Sequence, residues 1–170
     1  MAVVSGCSRY IVASMRVRLD RPLPRAVRIL EGAKARLDYV DEEQRRITAD
    51  IPASRVGVLD ELADYCEYLS LEVKASCRLR GDPRGLVETL RDMGFERVPG
   101  GSAVVLVGRW AGRAVEVEIR AGRVRVKVGA RVTGKPRPPL PPSVFLVAPE
   151  ELGEALEALN GLLGELRGKA

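Results

Sequence analysis

Apolar residues recur along this chain with two periods, and the alternation between them outlines the fold. Met15 to Leu19 alternates apolar and basic residues as a half-buried strand does. From Pro24 to Ala33 the pattern changes: Val27, Leu30 and Ala33 fall at helical spacing, while Arg25, Arg28 and Glu31 take the solvent positions. Gly32 is suited to end that helix. Arg36 to Val40 and Arg46 to Ile51 alternate again around the polar turn Asp41-Glu42-Glu43-Gln44, which predicts a hairpin. Ser54 is then placed to cap a helix carrying Val58, Leu59, Leu62, Cys66 and Leu69 on one face.

The order repeats in the second half. Leu71 to Leu79 reads as a strand, and the following helix has the sharpest boundaries in the chain, with Asp82 as N-cap and Pro83 at the first helical position. Leu86, Val87, Leu90 and Met93 form its apolar face, and Gly94-Phe95 fits a Schellman ending. Extended segments follow at Phe95 to Val98, Ala103 to Arg109, Arg113 to Arg120 and Arg123 to Ala130, an antiparallel meander. Pro136 to Pro142 (PRPPLPP) predicts a stiff polyproline connector. Val144 to Val147 predicts a short strand, and Pro149 opens a last amphipathic helix to about Arg167.

The expected fold class is therefore α+β: two βαββ-type units, antiparallel sheet with helices on one face, and a C-terminal amphipathic helix. Residues 1–70 form a βαββα unit in this reading, and with the strand from Leu71 they are compatible with a ferredoxin-like layer. Residues 71–170 form a βα unit continued by the meander, the connector at 136–142 and the final helix. With 170 residues and 46% hydrophobic content the chain can bury a core. Its apolar runs fall far short of the roughly 18 residues of a membrane span, and residues 1–10 do not read as a secretory signal.

Composition removes whole classes of chemistry. Histidine is absent, so triads, His-activated thiols and His-ligated zinc are excluded. Cys7, Cys66 and Cys77 are odd in number and lack CxxC spacing, which points to a reducing, cytoplasmic setting with inert thiols; a Cys66–Cys77 bridge is the alternative. No catalytic residues, metal or cofactor are expected. Five of the 28 basic residues are lysines, and that arginine excess with 30% charged residues is compatible with a thermophilic source.

Charge is unevenly spread. Residues 101–142 hold nine basic groups against Glu116 and Glu118, whereas 143–170 hold two against five. Such clustering is the footprint of a polyanionic partner. If Ala121-Gly122 is a two-residue turn, Arg120 faces Arg123, Glu118 faces Arg125 and Glu116 faces Lys127, so two of the three pairs are neutral. Arg109, Arg113, Arg131, Lys135 and Arg137 then remain uncompensated. Trp110 lies between two of these arginines on a glycine-bounded hairpin tip, where it could stack a base while the guanidinium groups hold phosphates; a lone tryptophan folded over the core is the competing reading.

Other motifs point elsewhere. Gly129 to Pro136 (GARVTGKP) nearly matches a phosphate-binding loop, but Pro136 replaces the hydroxyl that would meet magnesium. Leu152, Leu156, Leu159, Leu163 and Leu166 have coiled-coil spacing, which fits docking on the chain's own sheet or a homodimer seam. The segment ITADIPASRVGVLDELADYCEYL, Ile47 to Leu69, resembles in outline the small dimerising scaffold subunit of the tRNA-modifying KEOPS complex. That resemblance covers about a third of the chain, and no residue roles are carried over from it.

The functional expectation is a non-enzymatic nucleic-acid-binding protein or ribonucleoprotein accessory factor, for RNA or single-stranded DNA, acting through Arg109, Trp110, Arg113, Arg131, Lys135 and Arg137. The alternatives are a dimeric scaffold subunit bound through its leucine helix and a sheet edge, and a small-ligand-binding domain.

Overall fold

The computed structural model describes residues 2–169. Its element order is β1 (Val3–Val17), α1 (Leu23–Gly32), β2 (Arg36–Asp41), β3 (Arg46–Pro52), α2 (Val58–Ala63), β4 (Cys66–Arg80), α3 (Pro83–Asp92), β5 (Glu96–Arg97), β6 (Val104–Trp110), β7 (Arg113–Arg120), β8 (Arg123–Arg131) and α4 (Leu152–Lys169). The α+β class is as expected: eight antiparallel strands accompanied by helices, the last of them C-terminal. No helix among the described residues is long and apolar enough to cross a membrane.

The chain divides into two compact units, Arg9–Glu72 and Met1–Ser8 with Val73–Ala170. In Arg9–Glu72 the strands lie in the order β2-β3-β1-β4. The β2–β3 hairpin forms where the polar turn predicted it, Asp41 opposite Arg46. Ile11, Ala13, Met15, Ile47, Ala49 and Ile51 are buried, every second residue of β1 and β3, which is the period-two pattern of a sheet with one covered face. Leu30 of α1 and Leu59 and Leu62 of α2 supply buried residues from the helices. The helix expected from Ser54 is much shorter: a 3-10 turn covers Ala53–Arg55, α2 ends at Ala63, and Cys66 and Leu69 belong to β4. Ser54 makes no capping bond.

In the other unit the order runs β4-β8-β7-β6-β5. The β7–β8 register is the one anticipated, with Arg120 opposite Arg123, Glu118 opposite Arg125 and Glu116 opposite Lys127. Val115, Val117, Ile119, Val124, Val126 and Val128 are all buried. At the other end of β7, Ala111 and Gly112 both have positive φ, the pair of left-handed residues that a tight two-residue hairpin needs between Trp110 and Arg113. α3 begins as predicted, with the Asp82 carboxylate accepting the Arg84 N–H at 3.0 Å. It ends as predicted too: Phe95 N–H donates to the Leu90 carbonyl and Gly94 N–H to that of Arg91, both at 2.9 Å. α4 packs against β8 and α3.

Two expectations fail here. Val144 to Val147 is not a strand: Pro142–Phe145 forms a 3-10 turn lying against β8. Gly129 makes room for it, since a Cβ there would stand 2.4 Å from the Val144 carbonyl oxygen. The cysteines also differ, because Cys7 and Cys77 form a disulfide, neither inert thiols nor a Cys66–Cys77 pair. Cys66 is the free one; burial pushes its thiol up to about 11, so it stays protonated and unreactive near neutrality.

Candidate nucleic-acid interface

The expected site spans the β6–β7 hairpin tip, the end of β8 and the proline segment, and the structure treats its members differently. Arg113 is 2% exposed. It donates to the Gly129 carbonyl at 3.1 Å and meets Glu151 at 3.5 Å and Glu154 at 3.2 Å. Arg131, opposite Arg113 in the ladder, also binds Glu154. That bond holds the Glu154 carboxyl below its ordinary range, with Arg113 reinforcing the effect, and raises Arg131 in turn. These two arginines are thus engaged by carboxylates from the 3-10 turn Pro149–Glu151 and the first turn of α4, and are not available as open phosphate sites.

Trp110 stands against α4: a Cβ on Gly161 would lie 3.4 Å from the indole Nε1. The ring is half-buried beside an open cavity of about 410 Å3 bordered by Arg131, Glu154 and Glu157. Arg113 also lines it, and because Glu154 binds both arginines their charge is already balanced there. Arg109, Lys135 and Arg137 are exposed, and Arg109 reaches only the Thr133 carbonyl at 3.5 Å. The structure brings Trp110, Arg113 and Arg131 to one cavity that Glu154 and Glu157 share, and leaves Arg109, Lys135 and Arg137 exposed. Leu152, Leu159, Leu163 and Leu166 are buried within the chain, as are Ala155, Ala158 and Leu162, while Leu156 is half-buried.

A different set of cations comes together on the polar face of β4, β8 and β7. Side chains alternate across each strand, so Lys74, Ser76 and Arg78 share a face with Arg123, Arg125 and Lys127 and with Glu116, Glu118 and Arg120. The register aligns Arg78 with Arg123 and Arg123 with Arg120, a rung of three arginines on three adjacent strands. All three are exposed. Glu118 partners Arg120 at 2.9 Å, and Glu116 partners Lys127 at 3.6 Å. Among the described residues, Arg78, Arg123 and Arg125 have no carboxylate partner. Sequence reasoning found the Arg120–Arg123 pair but missed Arg78, whose place beside Arg123 depends on pairing between distant strands.

The two arginine juxtapositions invite comparison. Like charges directly opposite in a ladder repel. At the Arg113–Arg131 rung the repulsion is relieved by Glu151 and Glu154. At the Arg78–Arg123–Arg120 rung only Arg120 has such relief.

No group of three or more histidine, cysteine or carboxylate side chains that could hold a metal occurs among the described residues. No protein-family model matches the chain, and no curated protein matches its sequence.

Proposed function

We propose that this protein is a non-enzymatic nucleic-acid-binding protein or ribonucleoprotein accessory factor whose contact surface is the polar face of β4, β8 and β7. The observation that carries the reading is the Arg78–Arg123–Arg120 rung. A phosphate set between two guanidinium groups turns their mutual repulsion into shared attraction, and guanidinium binds phosphate in bidentate fashion. Arg125 extends the row, and the exposed Arg109, Lys135 and Arg137 add longer-range attraction. In the Arg9–Glu72 unit, the strand order β2-β3-β1-β4 supports reading it as a ferredoxin-like layer.

Fluorescence anisotropy with mixed-sequence 20-mers tests the proposal. Three phosphate contacts predict a log–log salt slope of about −2.1 to −2.7, hence a loss of roughly 20- to 40-fold between 50 and 200 mM salt. Replacing Arg78 and Arg123 together by alanine should weaken binding at least about tenfold, with Lys135→Ala having a smaller effect. Binding that ignores salt and both arginines would refute the proposal.

A second reading, a dimeric scaffold subunit, is favoured by one observation. In its own unit β2 pairs only with β3, and Tyr39 and Val40 are exposed on it, 54% and 39%. An open edge carrying apolar side chains invites a partner strand. Light scattering would support this if a dimer dissociates on Val40→Lys, and a monomer at high concentration would end it.

A further inference from the structure

The chemistry of the face narrows what it takes. We infer that its ligand is the phosphate backbone of a helical duplex, held without reference to base sequence; this rests on the nucleic-acid reading above.

Recognition of unpaired bases draws chiefly on aromatic rings, with guanidinium planes in a secondary part, because a splayed base loses its stacking and must regain it on the protein. The unit that carries the arginine rung holds three aromatic residues, Phe95, Trp110 and Phe145. None serves as a platform there. The Phe95 ring is buried over Gly108, within 2.6 Å of where a Cβ on that glycine would stand. Phe145 is 4% exposed, wedged against Gly129, and its ring is capped by the Lys127 ammonium at 5.1 Å. Trp110 lies against Gly161 of α4. The residues the ladder does present are Lys74, Ser76, Arg78, Arg123, Arg125 and Lys127, flanked by Glu116, Glu118 and Arg120.

Those groups suit a ligand that keeps its bases stacked and shows only phosphates. Strands lie about 4.8 Å apart, so the rung from Arg78 to Arg120 is roughly 10 Å long. Guanidinium groups spread over that length can reach phosphates on both sides of a B-form minor groove about 6 Å wide. A sheet presents them in fixed order, which matches a regular helix better than a pliant single strand. Glu116 and Glu118 would repel a backbone running along β7, so the duplex meets that strand at Arg120 and otherwise lies over β4 and β8.

The test uses the full chain and labelled 20-base-pair DNA and RNA duplexes, two unrelated sequences of each, with their separate strands, at 50 and 200 mM salt. At least one duplex type should bind about tenfold or more tightly than its strands, and the two sequences of that type should agree within about twofold. The Arg78→Ala/Arg123→Ala variant, checked by circular dichroism for native structure, should lose duplex affinity and lower the salt slope by about 1.8. Arg78→Lys/Arg123→Lys should keep most of the slope. Single strands bound as well as duplexes, with the same loss in the alanine variant, would overturn the duplex inference and leave the nucleic-acid reading standing. No binding of any form at 50 mM salt would overturn both.

Discussion

At the scale of single residues, close approach and charge compensation decide most of what happens around the β6–β8 meander. Gly108 and Gly129 are needed for space: a Cβ on the first would stand 2.6 Å from the Phe95 ring, and on the second 2.4 Å from a backbone oxygen and 2.8 Å from the Phe145 Cα. A ring can shift more easily than backbone, so Gly129→Ala should be the worse substitution, costing about 3 kcal/mol against about 1–2 for Gly108→Ala. Urea unfolding of the two variants would check both the sizes and their order. Glu154 gives a pH signature. Its carboxyl is held below its ordinary value near 4.5 by Arg131 first and Arg113 second, so its contribution is complete above that value and fades as pH falls through the lowered one. The stability gap between the wild type and Glu154→Gln should therefore be steady at neutral pH and close in acid. A gap that persists unchanged to the lowest pH at which the fold survives would contradict this role. The sequence showed nine basic residues in 101–142 and left Arg113 and Arg131 as uncompensated. Their partners, Glu151 and Glu154, were in the acidic stretch that follows; only the packing of α4 on β8 brings them together.

At the scale of elements, α1 and α3 end on the same hydrogen bonds with different residues in the left-handed position. Phe95 N–H to Leu90 and Gly94 N–H to Arg91 are matched in α1 by Ala35 N–H to Leu30 and Lys34 N–H to Glu31. Gly94 takes φ +93° without strain, whereas Lys34 sits at φ 59° with a Cβ. A left-handed conformation costs a non-glycine residue about 1–2 kcal/mol. Lys34→Gly should accordingly raise stability by about 1 kcal/mol, visible as a higher urea midpoint with unchanged slope. No gain would mean that the Lys34 side chain contributes enough to offset its backbone strain. Strongly periodic, well-capped elements could be read in advance, as α3 and the β7–β8 register show. The end of α2 could not. Leu59, Leu62, Cys66 and Leu69 fit a helical stripe, yet Cys66 and Leu69 lie in β4, a 15-residue strand whose partners are remote in sequence. Local periodicity cannot weigh that pairing. The same blindness hid Arg78, since its neighbour Arg123 is set by the β4–β8 register.

At the scale of the whole chain, the Arg9–Glu72 unit is an insertion between Ser8 and Val73 of the other, and Cys7 and Cys77 bracket it. The disulfide spans 70 residues of sequence, so in the unfolded chain it closes a loop that contains the entire inserted unit. Loop-closure entropy for that length gives about 4 kcal/mol of stabilisation. A comparable share of the stability of an ordinary domain, which is about 5–15 kcal/mol in total, would then depend on one bond. Buried Cys66, protonated at neutral pH, is a poor nucleophile for exchange with it, which protects the native pairing. Cys7→Ala/Cys77→Ala, or the wild type reduced by a dithiol, should therefore unfold at clearly lower urea than the oxidised wild type, by an amount near 4 kcal/mol. Cys66→Ala should leave that difference intact. The two treatments must agree, because both remove the same cross-link from the unfolded state. If reduction lowers the midpoint and the double alanine variant does not, the loss on reduction comes from seating two separate thiols where one bridge fits, and not from opening the loop.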